Sequence, residues 1–169
     1  AAASSSAAEP AATGDAEPQF GGTLKIALNR AIKAQGIDPL FSDSTACEQV
    51  IQNYADTLVI EDATRGGYLP NLATSWEVSD DGLTWTFHLR DDVYFQKGEY
   101  QDGRQMVADD VLYTYERELD SWNKILTSVE SVEVIDDFTV AYHLLAPDAI
   151  FLNTIVNTSM VVVPKEEVE

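Results

Sequence analysis

The sequence holds one cysteine, Cys47, and only 10 lysines and arginines against 29 aspartates and glutamates. A single cysteine excludes an internal disulfide and any cysteine-cluster metal site, and leaves the compartment open. The formal net charge of −19 argues against nucleic acid as a partner, because phosphate binding needs clustered Lys and Arg. Long apolar runs are missing too. The least polar stretch, 149–164, is broken by Asn153, Asn157 and several hydroxyls, and is too short and too polar to span a bilayer. No basic segment followed by an apolar run reads as a signal peptide within these 169 residues.

Recognisable catalytic patterns are equally scarce. There is no Gly-rich phosphate loop, no His-x-x-x-His and no Gly-x-Ser-x-Gly. The only two histidines, His88 and His143, fall in different segments. Asp80-Asp81, Asp91-Asp92, Asp109-Asp110 and Asp136-Asp137 are adjacent pairs. Neighbouring side chains point apart in a strand and diverge by about 100° in a helix, so such pairs read as turn formers or helix-start acids. A catalytic carboxylate dyad would need them to converge in a cleft.

What is present is a chain that is 45% apolar and 23% charged, long enough for one domain with a core. Residues 1–20, "AAASSSAAEPAATGDAEPQF", are small, Pro-rich and acidic, and read as a flexible tether. "TLKIALN" (23–29) alternates as a short strand. "TACE" places Thr45 as an N-cap with Glu48 three residues on. Cys47, Val50, Ile51, Tyr54 and Leu58 then follow at helical spacing on one face. Pro70 is expected to open a short helix through Trp76. Asp81-Gly82 marks a hairpin turn. On the return strand Leu83, Trp85, Phe87 and Leu89 share a core face, which leaves His88 on the polar one. A helix is predicted from Val107 to about Leu119, with Val111, Tyr115, Leu119 and Trp122 roughly on one side and Asp109 and Asp110 in its first turn. "SVEVIDDFTVAYHLL" is a second hairpin with Phe138, Val140, Tyr142 and Leu144 inward. Asp148 can cap another short helix, and Met160–Val163 reads as a buried strand. "PKEEVE" is a helix start, which points to a piece of something longer.

Several of these segments, in order, resemble one family. "GGTLKIAL" with "DPL" downstream, then "LPNLATSWEVSDDGLTWTFHLRDDVYF", then "DGRQMVADDVLYTYER" resemble the N-terminal part of bacterial extracellular solute-binding proteins of family 5, the oligopeptide- and dipeptide-binding components of ABC importers. Two departures stand out. "QKGEY" (96–100) looks inserted, and Val107 stands where the family usually has a helix-capping Thr.

The resemblance implies an α/β, periplasmic-binding-protein-like (type II) fold. In it 21–45 would be the first strand and loop of lobe I, and 46–169 a subdomain of lobe I. It implies a non-enzymatic receptor that closes on a peptide or other small solute by a hinge and delivers it to ABC permease subunits, with no cofactor and no metal. Nickel chelates and oligosaccharides are sister specificities. Carried over by position, Asp43, Ser44 and Thr45 are candidate ligand contacts, with helix capping as their structural reading. Trp122 is a candidate pocket wall, with core packing as the alternative. The family also implies an extracytoplasmic location, in the periplasm or at the cell surface through an N-terminal lipid anchor whose cysteine is not in this sequence. From the residues alone, a secreted carboxylate-dependent hydrolase and a surface interaction module stay open.

Overall fold

The computed structural model describes residues 21–23, 25, 38–41, 45–120 and 124–168. The expected tether, most of the strand at 23–29, and Asp43, Ser44 and Trp122 lie outside the described residues.

Four antiparallel strands carry the fold: β3 (Ala73–Val78), β4 (Thr84–Leu89), β5 (Val129–Asp136) and β6 (Thr139–Leu144), in spatial order β3-β4-β6-β5. Both predicted hairpins form. At the first, Gly82 takes φ +72°, the left-handed conformation its missing Cβ permits. Asp81 Oδ1 accepts the Leu83 N–H and the Ser79 hydroxyl, which closes the turn locally. The registers place Trp85 opposite Tyr142 and Phe87 opposite Val140. The period of two therefore puts Trp85, Phe87, Leu89, Val140, Tyr142 and Leu144 on one buried face, as expected. The ring of Tyr142 meets Phe87 edge-on at 5.7 Å and Phe151 at 5.6 Å. The aromatic hairpin is thus scaffold.

Two helices cover that face. α2 (Ala108–Leu119) buries Ala108, Val111, Thr114 and Tyr115. Its last turn differs from expectation: Leu119 is exposed, and Glu118 is buried instead. The short α3 (Phe151–Ile155) buries Phe151, Leu152 and Ile155. Asp148 contributes just ahead of it, where its carboxylate accepts the Ile150 N–H.

Four other expectations are corrected. No helix opens at Pro70. Tyr68–Pro70 is β2, paired with β1 (Val59–Glu61), and Ala73–Val78 is β3. The run is too short for its pattern to distinguish helix from strand, and backbone pairing decides it: the Ala73 N–H donates to Leu58 O at 2.8 Å. The helix near 45 is α1 (Thr45–Ile51), which starts on Thr45 itself and stops at Ile51. It ends before Tyr54, which is partly exposed, and Leu58, which is buried in the main core. Met160–Val163 is buried but forms no strand among the described residues; Thr158–Met160 is a 3₁₀ turn and the rest is extended. Its side chains alternate between two clusters. Met160 and Val162 join the main core, while Val161 and Val163 pack with Cys47 and Ile51 of α1. The expected helix at the last residues appears as a single 3₁₀ turn, Lys165–Glu167.

Candidate functional site

The turn Pro39–Phe41 follows the "DP" pair, and Asp38 shapes it. Its carboxylate accepts the Leu40 N–H at 3.0 Å, and its carbonyl accepts the Phe41 N–H. The same carboxylate receives Arg117 Nη2 of α2, at 2.8 and 3.1 Å. The Arg117 side chain is only 14% exposed, so this pair is largely shielded from solvent and fastens the turn to α2. Arg117 also lies 6.0 Å from the Tyr113 ring centre.

Beside this pair opens a cavity of about 490 Å³. Asp38, Arg117 and Tyr54 line one part, Phe95 to Gly98 a second, and Val162 to Pro164 a third. Burial, and then the negative charge of Asp38, hold the Tyr54 phenol above its ordinary pKa. Apolar walls with a few convergent polar groups suit reversible capture of a small solute.

Of the predicted contacts, Thr45 is exposed at the start of α1 and is not part of the cavity wall. The structure does bring the turn that leads to it against α2. Asp38, Arg117, Tyr54 and Phe95 were missed as site residues. In the sequence Asp38 stands out only as the first residue of "DPL", and Tyr54 only as a position on the apolar face of a helix. The available signal was Arg117 itself, a cation in a helix otherwise rich in acids.

The two histidines and the aspartate pairs are arranged as scaffold. His143 lies between Glu133 (3.1 Å) and the Thr84 hydroxyl (3.2 Å), and His88 faces Glu77 at 3.7 Å, all on the outer face of the sheet. The four aspartate pairs sit apart. Asp81 and Asp136 close turns, Asp92 pairs with Arg90, and Asp110 pairs with Arg104. Among the described residues no group of three or more His, Cys, Asp and Glu side chains could hold a metal ion. Nor is any described helix long and apolar enough to cross a membrane.

Residues 67–169 match the family model described as "Bacterial extracellular solute-binding proteins, family 5 Middle". The chain belongs to that family. Among curated relatives of family 5, the probable ABC transporter periplasmic-binding protein SapA of Escherichia coli is 36% identical over 128 residues, 66% of this chain and 23% of that protein. Among solved structures, the periplasmic binding protein DppA of Helicobacter pylori, in complex with the peptide STSA, superposes with a TM-score of 0.69 at 31% identity, over 76% of this chain and 28% of the other. AgaA of A. tumefaciens R10, in complex with agropinic acid, gives a TM-score of 0.66 at 28% identity, over 76% and 26% of the two chains. The chain thus spans about a quarter of the length of these relatives. Its fold is part of the periplasmic-binding-protein-like (type II) α/β fold.

Proposed function

We propose that the chain supplies part of the solute-binding component of an ABC importer, working outside the cytoplasm and taking up oligopeptides or dipeptides. The observation that carries this is the family 5 match over 67–169, and the similarity to DppA, solved with a peptide, supports it. The mode of action is binding and release. Asp43, Ser44 and Thr45 contact the ligand, and Trp122 forms part of its surround. The permease subunits of the importer receive the solute, and a lipid anchor ahead of the segment 1–20 holds the receptor at the membrane.

The dispersal of the aspartate pairs, each engaged in a turn or an ion pair, favours a receptor over a carboxylate-dependent hydrolase. The likeness to AgaA, solved with agropinic acid, supports a second specificity on the same scaffold, a small polar non-peptide solute. Titration calorimetry of the protein with di-, tri- and tetrapeptide libraries tests the first reading. Saturable 1:1 binding without turnover is expected. Silence toward peptides with tight binding of an opine or another small solute transfers the function to the second reading.

A further inference from the structure

The loop 96–101, which contains the segment 96–100 that reads as an insertion in the sequence, is held from a distance. Its three consecutive backbone N–H groups at Glu99, Tyr100 and Gln101 converge on one carboxylate. Glu167 Oε2 accepts from Glu99 at 3.2 Å, and Glu167 Oε1 accepts from Tyr100 at 2.9 Å and Gln101 at 3.1 Å. Such a run of N–H groups aimed at one point is an anion-binding concavity.

The loop is built around that point. The Gly98 N–H closes onto Gln101 O at 3.1 Å. The Gln101 side chain accepts the N–H groups of Gly103 and Arg104 at 2.6 and 3.1 Å. The Glu167 contact needs the missing side chain of Gly98, because a Cβ there would overlap the Glu167 carboxylate. The neighbouring Glu166 reinforces the contact. Its two oxygens receive Arg104 Nε and Nη2, both at 2.8 Å, while the same guanidinium holds Asp110.

We infer that the loop 98–101 is a carboxylate receptor which Glu167 fills from within the chain. The result is a clasp between two segments more than sixty positions apart. Gly98, Gln101 and Glu167 all line the cavity beside Asp38 and Arg117, so the clasp fixes one of its walls. When Glu167 is absent, the receptor accepts a small free carboxylate in its place.

Hydrogen exchange on the full chain tests this. In Glu167→Ala the amides of Glu99, Tyr100 and Gln101 exchange faster by about tenfold or more, because opening the loop no longer breaks three bonds. Formate or acetate restores their protection, and chloride at equal ionic strength does not. Gly98→Ala provides a second route. The Gly98 backbone lies outside the left-handed region, so alanine is accepted there, and the methyl displaces the Glu167 carboxylate with the same local loss of protection. Unchanged exchange at 99–101 in either folded variant overturns the clasp. Rescue by chloride as effective as rescue by formate overturns the carboxylate receptor.

Discussion

At the scale of single residues, Arg104 does the work of two cations. It chelates Asp110, which is nearly buried, and reaches Glu166, while its face lies 5.1 Å over the Phe95 ring. Hydrogen bonds from Arg104 are the largest cause that pulls the Glu166 carboxyl from 4.5 down to about 2. The folded value lies below the unfolded one. The stabilisation is therefore complete above about pH 4.5 and is lost as the pH falls through about 2. Glu166 is 41% exposed, so solvent screening keeps the effect small. Acid unfolding followed by tryptophan fluorescence should have a shallower slope in this window for Glu166→Gln than for the parent; equal slopes would show that the pair contributes nothing. Tyr142 makes the opposite case. Its hydroxyl is buried among three aromatic rings with no hydrogen-bond partner among the described residues, and burial raises its pKa. Tyr142→Phe removes a desolvated group and keeps the ring, so stability should hold or rise by about 1 kcal/mol in urea denaturation. A clear loss would reveal a partner for the hydroxyl.

At the scale of elements, α2 starts without a side-chain cap. Val107 occupies the N-cap with extended backbone, and only Asp110 answers it, accepting the Val107 N–H at 3.0 Å. Val107→Thr supplies the side-chain acceptor that the N-cap lacks and should add about 0.5–1 kcal/mol, read as a higher urea midpoint at constant slope. No gain would mean that the half-buried site cannot seat the hydroxyl. The β3–β4 hairpin depends on Gly82 in the opposite sense. Alanine there meets φ +72° and places its Cβ 3.2 Å from Pro147, so Gly82→Ala should cost about 1–2 kcal/mol. A thermal midpoint equal to the parent's would contradict that. These elements were legible in the sequence because each contains its own signal: period two and a turn at 77–89, period 3.6 and first-turn acids at 108–119. Residues 70–76 offered neither period, and backbone pairing with β1 and β4 placed Pro70 and 73–76 in strands. The cavity was not legible at all. Its central ion pair, Asp38–Arg117, closes across 79 positions, and no local spacing announces such a contact.

At the scale of the whole molecule, the sheet turns its apolar face to α2 and α3 and its histidine–glutamate pairs outward. The cavity sits where the 38–41 turn, Tyr54, the loop 95–98 and the segment 162–168 meet. The formal net charge of −19 argues against nucleic acid as a partner. The recess is lined by Asp38, Arg117 and Tyr54 and also by Gly98, Gln101 and Glu167. The decisive measurement is hydrogen exchange with and without a saturating di- and tripeptide mixture, with the peptides assayed afterwards. The predicted result is slower exchange at 38–41 and 45–51 and intact peptides. Unchanged exchange in those segments together with hydrolysed peptides would contradict a receptor.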